Sequence, residues 1–200
     1  MSAILAIVFG LLVVAADQLS KYLVITQMAE NEVIRVIPGL LNFNRIPPNA
    51  GAAFGILQGH TWFLITITVF IMVICVSMLI RKTFDSKWMF WSLCLVLAGG
   101  IGNLIDRLFR GGNVVDFLEF GFFEFPVFNI ADCAVCVGAF MMVIYFIGDF
   151  IKDARNKKKQ IAVIEQESTS EAVNEPVGNS EEENDASKGT EDDNRNTDGK

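Results

Sequence analysis

Apolar residues run through this chain in long unbroken stretches, not in the short alternation of strands or the one-sided stripes of surface helices. A hydrocarbon core about 30 Å thick is crossed by roughly 20 apolar residues in helix. Residues 61–80 and 88–105 carry no charged side chain, and 129–148 carry only Asp132. At the amino end, residues 4–16 are uncharged, and apolar character resumes through 22–25 after Asp17 and Lys21. That first stretch lacks a basic lead-in and a cleavage pattern, so it reads as a retained span and not a signal peptide. The pattern predicts four transmembrane helices, at about 4–25, 61–80, 88–105 and 129–148. Between the first two, the β-branched run Val33–Ile37 followed by Pro38-Gly39 predicts a strand and turn. The fold class is therefore membrane all-α with a small β element. A short sheet of this kind belongs on the membrane surface, because unpaired strand edges are not tolerated in lipid.

Charge divides the chain in two. The whole has a formal charge of −7, yet residues 161–200 hold twelve acidic residues against three basic ones, a net −9. Residues 1–160 carry 13 basic and 11 acidic residues, a net +2. The expected organisation is a four-helix integral membrane domain over 1–155, then a basic stretch and a disordered acidic tail over 156–200. The tail is too polar to offset the entropy of ordering. A nucleic-acid binder is excluded, since no basic stripe is present to neutralise phosphates. Arg81, Lys82 and Lys87 lie between spans two and three; Lys152, Arg155, Lys157, Lys158 and Lys159 follow span four. Only Arg35, Arg45, Arg107 and Arg110 fall in the other two connections. This imbalance places both termini in the cytoplasm and the connections 26–60 and 106–130 outside.

Ionisable and polar groups in or beside spans are candidates for function. Asp17 and Lys21 stand four apart on one helix face, placed for a structural ion pair or for a role in chemistry. Asn49-Ala-Gly51-Ala-Ala-Phe-Gly55 permits close backbone approach beside a hydrogen-bonding amide, or forms an ordinary turn. In span three, small residues lead into Asn103, Asp106 and Arg107, which fall within about one helical turn. Asp116 and Asp132 are each set in apolar sequence, where a lone carboxylate is costly. Two readings stand for them: unrelated interfacial acids, or a pair sharing one proton, since like charges a few ångströms apart cannot both ionise. A lone His60 excludes a histidine-based metal centre, and neither a metal nor a cofactor is expected. The four cysteines fall in apolar runs; Cys133-x-x-Cys136 lacks a second pair, and packing is the expected role.

Five motifs in order resemble the bacterial lipoprotein signal peptidase (signal peptidase II) family. They are Asp17-Gln-Leu-Ser-Lys21, Asn49-x-Gly-Ala-Ala-Phe-Gly55, Gly102-Asn-Leu-Ile-Asp-Arg107, Val114-Val-Asp-Phe117 and Phe128-Asn-Ile-Ala-Asp132. The resemblance covers about residues 1–150. It implies a four-span aspartyl protease of the bacterial cytoplasmic (inner) membrane, with Asp116 and Asp132 as catalytic dyad. Asp17, Lys21, Asn49, Gly51, Asn103, Asp106, Arg107 and Asn129 would shape the site or orient substrate. The implied partners are lipid-modified prolipoproteins and membrane lipids, cleavage falling just before the lipidated cysteine, by a monomer. Read without the resemblance, a small proton-coupled transporter or a non-catalytic assembly factor would be the alternatives. The chain departs from the family at Asn44–Pro48, which adds residues ahead of Asn49, and at Ala98, where the glycine run usually starts. Cys133 stands where serine is usual, and the acidic tail has no counterpart. A chain truncated after Gln160 is expected to insert and cleave as the full chain does, checked by membrane fractionation and a prolipoprotein processing assay.

Overall fold

The computed structural model describes residues 3–47, 60–84 and 86–173. Four helices, α1 (Ala3–Gln27), α2 (Thr61–Ile80), α3 (Lys87–Phe109) and α4 (Ile130–Val173), are each long and apolar enough to cross a membrane. Three short strands, β1 (Val33–Ile37), β2 (Leu41–Asn44) and β3 (Leu118–Phe120), form one antiparallel sheet in that order. The chain divides into two compact units, Met1–Asp153 and Ala154–Lys200. In the second, helix extends to Val173, so residues 161–173 are not the irregular segment their polarity suggested. Lys, Gln, Ala and Glu, which dominate 157–167, are strong helix formers, and propensity prevails there over the lack of a core.

Within the first unit α3 is the central helix, touching α1 and α2. It also meets α4 at closest range, through glycine. A Cβ built on Gly138 would lie 2.7 Å from the Ser92 carbonyl oxygen, and one on Gly99 would collide with the Ala131 carbonyl. Small residues let helix backbones approach where lipid supplies no hydrophobic drive for association. The outward faces are apolar and bare: Leu11, Phe70 and Phe140 are 62–66% exposed. That inverts a water-soluble protein, in which such residues are the core.

The sheet sits where the C-terminal ends of α1 and α3 meet the N-terminal end of α4. β1 and β2 pair Val33 with Asn44 and Ile37 with Leu41, with a bulge between Arg35 and Ile37. Gly39 turns the hairpin at φ +73°, in the left-handed region that glycine enters freely. β3 pairs with β2, Asn42 opposite Glu119, and Glu119 accepts hydrogen bonds from the Asn42 and Asn44 amides at 3.2 and 3.0 Å. Phe117, just before β3, is buried against Val24 of α1 and Met28 just beyond its end, with Phe43 and Ile130 beside them. This plug fixes the sheet on the helix ends. Replacing Gly138 by leucine is expected to force α3 and α4 apart, at about 1–3 kcal/mol. A lower unfolding midpoint in detergent, followed by intrinsic fluorescence, checks it.

Candidate active site

At the level where α1, α3 and α4 converge, a lysine is buried completely. Lys21 and Asp17, one turn apart on α1, pair at 2.9 Å, and Lys21 reaches across to Asp106 of α3 at 2.9 Å. Its third proton goes to Asn103 Oδ1 at 3.1 Å. The carboxylates are held from other sides as well. Asp17 Oδ1 accepts the Ala131 backbone N–H at 2.9 Å, tying α1 to the first turn of α4. Asp106 accepts from Arg110 Nε at 3.1 Å and from the Val115 backbone N–H at 3.1 Å. Gln18 Nε2 bridges Asp17 Oδ2 and Asp106 Oδ1, at 3.1 and 3.2 Å. Gly102 is required beside this cluster, because a Cβ there would stand 2.7 Å from Asp17 Oδ2.

Asn129 caps α4. Its Oδ1 accepts from the Asp132 N–H at 2.9 Å while Asp132 Oδ2 accepts from the Asn129 N–H at 3.1 Å, a reciprocal capping box. The amide of Asn129 donates to Asp116 Oδ1 at 2.7 Å and to Asn103 Oδ1 at 3.1 Å. Asn103 Nδ2 in turn donates to Asp132 Oδ1 at 2.7 Å. The two carboxylates embedded in apolar sequence, sixteen residues apart, are thus joined through two asparagine side chains. Both line one cavity of about 480 Å³, together with Asn103, Arg107, Phe125 and Phe128. The Arg107 guanidinium lies close enough for its charge to act on Asp132, Asp116 and Asp106. Its Nε is buried without a hydrogen-bond partner among the described residues.

Of the residues singled out from sequence, Asp17, Lys21, Asn103, Asp106, Arg107, Asp116, Asn129 and Asp132 all fall in this cluster or its cavity. Asn49 and Gly51 lie outside the described residues. Two members went unnoticed: Gln18 and Arg110. Each had a signal, a polar side chain beside Asp17 within a predicted span for Gln18 and an i,i+4 offset from Asp106 for Arg110. Cys75 and Cys94 are buried as packing residues, but Cys133 and Cys136 line the cavity instead. Among the described residues no group of histidine, cysteine and acidic side chains is placed to hold a metal ion. Donors aimed at two carboxylates in a mostly apolar cavity suit acid–base chemistry on a substrate that is itself largely apolar.

The sequence model for signal peptidase (SPase) II matches residues 9–148. A lipoprotein signal peptidase of Enterococcus faecalis is 42% identical over 138 residues, 69% of this chain and 84% of that protein. Those of Listeria monocytogenes serotype 4a and Shouchella clausii are each 39% identical, over 74% and 78% of this chain and 94% and 98% of their own. Two solved structures described as a bacterial membrane enzyme, obtained by the in meso method at 2.3 and 1.9 Å resolution, align with TM-scores of 0.70 and 0.67. Both are 35% identical and cover 74% of this chain, and 90% and 95% of theirs. With its four apolar helices, the chain is a multi-pass bacterial membrane protein, and it belongs to the signal peptidase II family.

Proposed function

We propose that this chain is an aspartic endopeptidase that removes the signal peptide from diacylglyceryl-modified prolipoproteins, cutting just before the lipidated cysteine, with Asp116 and Asp132 as its acid–base pair. The observation that carries the reading is their common cavity: both carboxylates open on it, and each is oriented by an asparagine amide at 2.7 Å. The ionised partner takes a proton from water as the water oxygen attacks the scissile carbonyl. The protonated partner donates to the carbonyl oxygen as the tetrahedral intermediate forms. Collapse of that intermediate returns a proton to the leaving amine, so no covalent enzyme intermediate is needed. Arg107 adds a fixed positive charge beside the site where negative charge develops.

The acids stand in the connection before β3 and in the first turn of α4, at the ends of spans and not at their centres. That suits a bond presented at the membrane surface while the substrate's acyl chains remain in the bilayer. It does not suit a transporter, whose carboxylates would be sought at mid-depth. Lysine and arginine bias puts both termini in the cytoplasm and the sheet and cavity at the outer face, where an exported signal peptide ends. A monomer suffices, since one chain supplies both carboxylates.

Asp116→Asn and Asp132→Asn are each expected to lower cleavage of a purified diacylglyceryl-prolipoprotein by about a thousandfold or more. The double variant should be little worse than either, because residues acting as a unit are not additive. Appreciable turnover by either single variant would end the aspartyl mechanism. For orientation, single cysteines at Phe122 and Thr83, in a chain lacking the native four, are read with an impermeant maleimide on spheroplasts. Phe122→Cys should react at once and Thr83→Cys only after lysis; the reverse pattern would place the cavity in the cytoplasm.

A further inference from the structure

Cys133 and Cys136 take no part in the chemistry described above, yet both belong to the lining of its cavity. They stand three apart on α4, directly after Asp132, and both line the cavity that holds the two carboxylates. Cys136 is exposed and Cys133 partly so, whereas Cys75 and Cys94 are buried, 4% and 8% accessible. Cys75 is enclosed by Met89, Leu93 and their neighbours, as a cysteine kept for packing should be. Residues three apart on a helix share a face. The thiols therefore form, with Val137, part of one wall of a cavity whose lining also includes Phe125 and Phe128.

We propose that Cys136, with Cys133 beside it, is a covalent modification site inside the substrate cavity. It would take small, uncharged, thiol-reactive electrophiles, and the adduct would exclude the substrate. The inference rests on the reading of this cavity as the peptidase site. An uncharged reagent is specified because a charged one would lose its hydration on entering a mostly apolar cavity. The thiolate is the attacking form. With N-ethylmaleimide, the Cys136 sulfur bonds to one alkene carbon, the ring double bond becomes single, and the thiol proton ends on the neighbouring carbon. Nothing leaves and no oxidant is consumed. The product side chain is bulkier than leucine and lies next to the turn of helix that carries Asp132, within a space of about 480 Å³.

The test uses the full-length protein in lipid nanodiscs, treated with N-ethylmaleimide and read in two ways. Peptide mass spectrometry locates the adducts, and cleavage of a diacylglyceryl-prolipoprotein is compared with each sample's own untreated control. Cys136 should be labelled first, with Cys75 and Cys94 unmodified until the protein is denatured, and cleavage should fall at least about tenfold. Cys136→Ser should keep most of its own untreated activity after treatment; should that variant fail to fold, Cys136→Ala replaces it. In the Asp116→Asn variant, whose native cysteines are all retained and which should bind substrate without cutting it, prior addition of the prolipoprotein should slow labelling of Cys136. Labelled Cys136 with undiminished cleavage, or a Cys136 that resists the reagent until denaturation, would overturn the inference. If untreated enzyme does not cleave at all, the peptidase reading falls instead, and the labelling pattern alone decides whether Cys136 is an open thiol site.

Discussion

Lys21 carries a full positive charge into a place with no water-exposed side-chain surface, and its neighbours are arranged to answer it. An unpaired ammonium moved from water to such an interior costs several kcal/mol even after relaxation. Two carboxylates at 2.9 Å and an amide oxygen at 3.1 Å replace the lost hydration. The carboxylates bring a need of their own, met by Gln18, Arg110 and the backbone N–H groups of Val115 and Ala131. Such a cluster is weak evidence of net stability, but deleting one partner strands the others, typically at about 3–5 kcal/mol. Its geometric effect is plainer. Groups from α1, α3, the segment before β3 and the first turn of α4 all end on it, so it holds those four pieces in register.

The same charge also sets polarity at a distance. Because Asn103 turns its amide oxygen toward the ammonium, its NH₂ must point the other way, at Asp132. Asn129 is constrained similarly: its oxygen accepts from the Asp132 backbone as a helix cap, which leaves its NH₂ for Asp116 and for Asn103. Hydrogen-bond direction thus runs from a buried ion through Asn103 to the Asp132 carboxylate, and from the cap of α4 through Asn129 to the Asp116 carboxylate. Replacing either asparagine by aspartate would reverse a donor at one of the acids while hardly changing shape. Glycine makes the arrangement possible, since Gly102 leaves room for Asp17 and Gly99 and Gly138 let α4 close on α3.

Around this polar centre the molecule is apolar on two sides, for two reasons. The lateral faces of the helices are bare because lipid is their solvent. The cavity is lined by phenylalanine and valine because its occupant is expected to be apolar as well. The sheet is small, yet it closes the end of the bundle: Phe117 pins it to α1, and the aromatic run after it continues through Phe120, Phe125 and Phe128 to the cavity. Asp116 therefore owes its position to the burial of the residue that follows it.

Much of this was readable from the chain alone. Unbroken apolar runs give spans whatever the packing, because crossing hydrocarbon is a matter of length and composition; all four were found, and the strand at Val33–Ile37 with its turn is where β-branching and Pro38-Gly39 put it. The helix ends were less legible. α3 continues to Phe109, past the end of its uncharged run at Ile105, because Asp106 and Arg107 find partners inside the protein, and hydropathy counts their charge without seeing those partners. Spacing allowed the Asp17–Lys21 pair, since both lie on one helix, and the family motifs named the acids. Only the tertiary structure could bring Asp106 to Lys21, or Asp116 and Asp132 to one cavity, because those contacts depend on how close the helices come. It also moved Cys133 and Cys136 from presumed packing to a cavity wall. A helix sequence states which residues share a face, but what that face meets is decided by the neighbours that fold against it.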